Sequence, residues 1–199
     1  QSSLGTVMLL AGHKLHPLWN TGWIPLLFLI SCVGMGYGVV VWESAVSSAA
    51  FKRERVTSML TSLSGAVIVV NALYLAIRFI DIVISGKTLL MFNQGVLSLM
   101  FWIETILFAA PIVLLANRDR RGRFSTMFQA SILLVLAGAL YRFDAYLVAY
   151  NPGTNWTYFP NLPELLITLG AIALEIAVYI YIVKRFPILA GVPAARSAR

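Results

Sequence analysis

Charged residues are scarce in this chain. Only 12% of its 199 residues are Asp, Glu, Lys or Arg, whereas a soluble domain carries about a quarter. Hydrophobic residues make up 59% of the sequence and the mean hydropathy is +0.83. The imbalance excludes a soluble globular enzyme and leaves a polytopic membrane protein, or part of one. Cysteine is nearly absent: Cys32 alone builds no disulfide framework, cysteine-ligated iron–sulfur cluster or thiolate zinc site. The two histidines, His13 and His16, both precede the first long apolar run. A bis-histidine haem needs ligands facing each other across a bundle, and no later apolar segment supplies one. The expectation is therefore a chain that binds neither haem nor metal. An initiator Met, a basic leader and a cleavage site are also missing at Gln1, so the chain is expected to begin in the middle of a longer polypeptide. There is no clear internal repeat and no low-complexity segment.

What the sequence has is five long apolar runs, at about residues 24–50, 56–84, 94–116, 125–149 and 162–183. Each is long enough to cross about 30 Å of hydrocarbon as an α-helix. The expected architecture is an all-α membrane protein, with residues 1–199 forming one transmembrane helical bundle. Ahead of it, the lead-in carries His13, His16, Pro17, Trp19 and Trp23, which reads as an interfacial anchor. Gly34 and Gly38 give the first span a small-xxx-small face suited to close helix contact. Pro111 is expected to kink the third span.

The second span carries the most informative pattern. Its apolar run is interrupted by Asn71, Tyr74, Arg78 and Asp81, at i, i+3, i+7 and i+10, one stripe of a helix. Such a stripe must face protein or a water-filled cavity, because charge in hydrocarbon is costly. Arg78 and Asp81 are close enough along the helix to pair. A structural ion pair and a wall of a proton or redox site both fit the pattern.

Loop charges set an expected orientation. Lys52, Arg53 and Arg55 follow the first span, Arg118, Arg120, Arg121 and Arg123 the third, and Lys184, Arg185, Arg196 and Arg199 the fifth. The opposite side has only Lys14 and Lys87. The positive-inside rule then puts the N-terminus outside and the C-terminus in the cytoplasm. The net charge of +7 follows from topology, so no nucleic-acid partner need be invoked. In this orientation Arg78, Asp81, Arg142 and Asp144 fall in the outer third of the membrane. Glu104 lies near mid-depth, and Glu175 at mid-depth or below. Without partners, Glu104 and Glu175 are expected to stay protonated. Buried neutral carboxyls suit either structural hydrogen bonding or a proton relay.

Several stretches, in order, resemble the NrfD/PsrC-type membrane subunits, within them the type that serves hydrogenase-2-like nickel–iron hydrogenases. They are Gln1-Ser2-Ser3-Leu4-Gly5, His16-Pro17-Leu18-Trp19, Met100-Phe101-Trp102-Ile103-Glu104 and Leu147-Val148-Ala149-Tyr150-Asn151-Pro152-Gly153. Tyr158-Phe159-Pro160, Glu164-Leu165-Leu166-Ile167 and Phe186-Pro187-Ile188-Leu189 continue the likeness. The resemblance implies a haem-free subunit of the bacterial inner membrane, its five spans being the C-terminal half of a longer protein. It also implies an iron–sulfur ferredoxin-like subunit and the nickel–iron hydrogenase large and small subunits on the outer face, with quinone as redox substrate. Members place quinone mainly among the N-terminal helices. Asp81 stands where close members carry Glu.

The proton-transfer candidates are Glu104, Glu175, Asp81, Asp144, Arg78 and Arg142. His13, His16, Trp19 and Tyr74 are the candidates for quinone or partner contact. The aromatic, uncharged loop 150–161 suits a partner interface or a lipid-interface belt. A secondary transporter or channel, and a passive anchor whose buried charges are all structural, are the competing functions. Copurification with iron–sulfur and nickel-containing partners separates a redox subunit from a transporter.

Overall fold

The computed structural model describes residues 2–51, 57–151, 153 and 160–186. The expected loop cations Lys52, Arg53, Arg55, Arg196 and Arg199, most of the loop 150–161 and the stretch 187–189 lie outside the described residues.

In lipid every backbone N–H and C=O must find its partner within the protein, so long apolar runs resolve into helices. Among the described residues five helices are long and apolar enough to span: Ile24–Ala45 within α2 (Ile24–Phe51), Met59–Ile84 within α3 (Thr57–Ile84), and α5 (Val96–Ala116). The others are Phe124–Val148, comprising α7 (Phe124–Phe143) and a terminal π-helical turn (Asp144–Val148), and α8 (Leu162–Arg185). These match the five apolar runs closely. Short helices α4 (Leu90–Asn93) and α6 (Arg118–Arg121) join α3 to α5 and α5 to α7.

The lead-in is more ordered than an interfacial anchor requires. It forms α1 (Ser2–Leu10) and a 3₁₀ turn (Gly12–Lys14), and α1 packs along α2. The segment after the turn is tied to the far end of α7. The His16 N–H donates to the Ala149 carbonyl and the Asn151 N–H to the Lys14 carbonyl, both at 2.8 Å, and Leu15 pairs with Tyr150 as an antiparallel bridge. Lys87 Nζ adds a bond to the Asn20 carbonyl at 2.7 Å.

Four spans form the packed unit. α2 lies most extensively on α7, α5 packs on α7, and α3 fills the side between α2 and α5. Helices in lipid gain nothing from leaving water, so close packing and polar bonds must hold them together. Gly38 provides one such approach: a Cβ there would sit 2.8 Å from both the Ser131 carbonyl and Val135 Cγ2. The small-xxx-small face is therefore a packing seam. Large apolar residues such as Val69, Ile80, Ile106 and Val113 stay exposed, as lipid-facing positions do. Pro111 sits inside α5 without ending it.

α8 differs from the rest. It starts with the Asn161 N–H donating to Glu164 Oε2 at 3.1 Å, and along its 24 residues only Val183 is buried.

Candidate functional site

The inward face of α3 carries Ser64, Asn71, Tyr74 and Arg78, all buried, which is how the sequence stripe reads as a helix face. Asp81 continues the stripe but is half-buried near the helix end. The stripe meets α5, and there the chain places its buried ion pair.

Arg78 does not pair with Asp81. Its guanidinium turns toward α5 and grips Glu104 at both oxygens, Nη1 to Oε1 at 2.8 Å and Nη2 to Oε2 at 3.2 Å. Arginine's planar fork favours this bidentate geometry over a one-turn pairing along its own helix. Two more donors complete the carboxylate. Tyr74 Oη donates to Oε1 at 2.9 Å while accepting from Arg78 Nη1, also at 2.9 Å, and Trp19 Nε1 donates to Oε2 at 3.0 Å. Arg78 and Glu104 are 4% and 1% exposed, so this pair is fully withdrawn from solvent. A buried pair is favoured by filling its remaining hydrogen-bonding positions: four donors converge on the carboxylate, while Arg78 Nε has no partner among the described residues.

Aromatic rings wall the pair. The Arg78 guanidinium carbon lies 5.0 Å from the Phe101 ring centre and 5.1 Å from that of Tyr141, with Tyr74 and Trp19 at 6.0 Å. Tyr74 stacks on Phe108 at 4.1 Å. Rings at these distances offer their negative faces to the cation without competing for its N–H groups.

The other predicted residues are dispersed around this centre. Arg142 donates to the Gly138 carbonyl at 2.6 Å and lies over Phe28 at 5.5 Å, with no hydrogen bond to Asp144. Asp144 is wholly buried at the start of the π-helical turn, and neither of its oxygens has a hydrogen-bond partner among the described residues. Asp81 remains apart from the cluster. Glu175 lies exposed on α8, remote from Glu104's bonds. The four-residue outer cluster of Arg78, Asp81, Arg142 and Asp144 thus gives way to an Arg78–Glu104 centre with Asp144 beside it.

Trp19 is the largest departure from the sequence reading. It is 1% exposed and acts as a plug that bonds Glu104, not as an interfacial anchor. His16 stands above it, ring to ring at 6.0 Å, with Nδ1 accepting the Leu18 N–H at 3.3 Å. Burial pushes the His16 imidazole below its ordinary range, and a hydrogen bond with Gln94 works against that shift. His13 is exposed on the 3₁₀ turn. Tyr141, which sequence reasoning passed over, joins the wall from α7. Deeper in the bundle Asn71 Nδ2 donates to the Phe108 carbonyl of α5 at 3.3 Å.

Fold and site together define a multi-pass helical membrane protein with, among the described residues, one fully buried, aromatic-walled ion pair. The family model described as polysulphide reductase, NrfD, matches residues 3–151, and the chain belongs to the NrfD family. It is 34% identical, over 95% of its length and 49% of the relative's, to the "Probable Ni/Fe-hydrogenase 2 b-type cytochrome subunit" of Escherichia coli (strain K12). A protein of Nitratidesulfovibrio vulgaris, named only "Protein", is 30% identical over the whole chain and 53% of its own length. The chain thus spans about half the length of the curated relatives it matches. No solved structure matches it.

The expectation of a haem-free subunit is corrected by the Escherichia coli relative. A b-type cytochrome name points to haem, and the name belongs to a protein matched over 95% of this chain. His13 and His16 are the histidines of a chain that spans about half of that relative. Within this chain His13 and His16 are three positions apart on one segment and are not an opposed pair, so their geometry does not fit a bis-histidine haem. No step is assigned to haem.

Proposed function

We propose that this chain is the membrane-embedded part of a quinone-linked subunit that anchors a respiratory nickel–iron hydrogenase in a bacterial cytoplasmic membrane. Hydrogen oxidation outside would reduce quinone, and protons would move with the electrons. The observation that carries this reading is the Arg78–Glu104 pair, fully buried and held by Tyr74 and Trp19. A passive anchor needs only apolar helices, and desolvating two charges is a cost that stability alone does not require. An ionisable group inside a membrane protein is by default read as marking an ion or proton route, with its partner named.

On this reading the iron–sulfur and hydrogenase subunits seat over the end that carries His13, His16 and Lys87, which faces outward. The end with Arg118, Arg120, Arg121 and Arg123 faces the cytoplasm. Cysteines placed at Thr88 and Arg123, in a Cys32→Ser background, should label from opposite sides of the membrane; labelling of both from one side refutes the orientation. The chain's own residues divide the work. Arg78 fixes the Glu104 carboxylate, Tyr74 relays between the two through a hydroxyl that donates and accepts at once, and Trp19 closes the site toward the hydrogenase side.

The experiment is Glu104→Gln in the assembled complex, with hydrogen–quinone turnover and proton-gradient formation measured separately. The amide keeps shape and hydrogen bonding but breaks the charge pair. Loss of turnover or coupling in a complex that still assembles is the expected result. Full retention of both rejects the proposal.

A further inference from the structure

Every polar atom of the Glu104 carboxylate is engaged, whereas Asp144 has none engaged. Asp144 is 0% exposed, and Oδ1 and Oδ2 both lack a hydrogen-bond partner among the described residues. It lies within electrostatic range of both Arg78 and Glu104, and its α7 neighbour Tyr141, one turn back, sits under the Arg78 guanidinium. Its backbone carbonyl accepts the Ala149 N–H at 2.7 Å, so a π-helical turn holds it in place. Such turns insert one extra residue and are used where a side chain must be aimed.

No cation among the described residues hydrogen-bonds to it. From α3 come Arg78 and Tyr74, and from α5 Glu104; α7 itself supplies Tyr141 and Arg142. The Arg78 Nη atoms are spent on Glu104 and Tyr74, and Arg142 bonds the Gly138 carbonyl. Cys32 and Tyr37 of α2 lie deeper than this level, because Phe28 is the α2 residue that meets Tyr141. An ionised Asp144 would be a second carboxylate beside a single arginine that Glu104 already neutralises. A bare anion there would accept no hydrogen bond from a described residue and would share Arg78 with Glu104, whereas the neutral acid avoids that larger charge cost and carries a hydroxyl that can give its proton away.

We infer that Asp144 is the proton-holding site of this bundle, neutral at rest, and that Glu104 is its fixed, ionised companion. Release is a plain acid ionisation: the Asp144 O–H bond breaks and the proton passes to water or another base, with the electron pair left on the carboxylate. Reprotonation reverses it. No oxidant or reductant enters. The inference rests on the reading that this chain handles protons, and it assigns the exchangeable proton to one atom pair within it.

The test is infrared spectroscopy of the assembled membrane complex, recorded as pH-titrated difference spectra in H2O and D2O. Wild type should show a protonated-carboxyl C=O band that shifts in D2O, is lost in Asp144→Asn and is retained in Glu104→Gln. A band that survives Asp144→Asn, or vanishes in Glu104→Gln, overturns the assignment. If Asp144→Asn does not accumulate, Asp144→Glu should move the band, and an unmoved band overturns it equally. The two proposals fail separately. A band lost in Asp144→Asn while proton coupling stays intact sinks the proton-handling reading but leaves Asp144 as the proton holder. Coupling lost in Glu104→Gln with no such band in wild type sinks the Asp144 assignment alone.

Discussion

Trp19 and Glu104 stand 85 positions apart, yet the indole N–H of one donates to Oε2 of the other at 3.0 Å inside the bundle. The bond makes the lead-in part of the ion-pair site. It also ties the histidine segment, already fastened to Ala149 and Tyr150, to the membrane's interior.

Replacing Trp19 by Phe keeps a ring in the plug and removes only the donor. A hydrogen bond to a charged group contributes about 1.5–3 kcal/mol, and the loss should fall in that range. Equilibrium unfolding of the detergent-solubilised complex reads it. An unchanged midpoint would show that water takes over the donor's place.

The pair itself is open to a double-mutant cycle. Glu104→Leu or Arg78→Met alone strands a buried charge and should cost about 3–5 kcal/mol, whereas the double substitution should recover most of that loss. Additive losses, with no recovery in the double variant, would mean that the pair is not coupled as its geometry demands.

Two glycines two positions apart, on opposite faces of α2, should behave oppositely. Gly38→Ala drives a methyl into the Ser131 carbonyl and Val135, and should cost about 1–3 kcal/mol as α2 and α7 are forced apart. Gly36 has nothing within 4 Å of a Cβ, so Gly36→Ala should be neutral or stabilise by about 0.4–1 kcal/mol. Melting temperatures of the two variants, compared side by side, decide it.

His16 gives the lead-in a pH dependence. Its folded-state pKa is lowered, chiefly by burial, below the about 6.5 of an exposed imidazole, so the undocked segment takes up a proton first. Docking is strongest above about pH 6.5 and weakens as pH falls from there toward the lower, folded value. Protonation at Nδ1 also forfeits the bond from the Leu18 N–H. Protection factors at the His16 and Asn20 amides, exchange measured against the intrinsic rate at each pH, should fall over this range, and His16→Gln should flatten that profile. A flat wild-type profile contradicts the linkage.

The five spans were legible because lipid leaves a chain few alternatives to long apolar helices. The inward face of α3 was legible too, since Asn71, Tyr74 and Arg78 repeat at helical spacing. What spacing does not carry is the partner across the bundle. Asp81, three positions along the same helix, looked nearest to Arg78, but the guanidinium fork found Glu104 on α5, 26 positions away. Trp19 was misplaced because tryptophan at the mouth of an apolar run usually sits in the interface. Nothing local marks one that dips inward to bond a carboxylate. Glu175 read as interior from its place in an apolar run, but α8 packs so little on the other described helices that interior and surface are indistinguishable by depth alone.

The order in which the partners are made has its own consequence. Arg78 leaves the ribosome 26 residues before Glu104, a delay on the order of seconds at about 5–20 residues per second. During that interval α3 carries an uncompensated cation into the membrane. The insertion machinery must therefore shelter the helix, or let Arg78 reach toward the headgroups, until α5 emerges. Trp19, made long before either, can close over the pair only afterwards. Assembly of this site is a matter of timing as much as of affinity, and a pause in translation between residues 84 and 96 would expose its weakest moment.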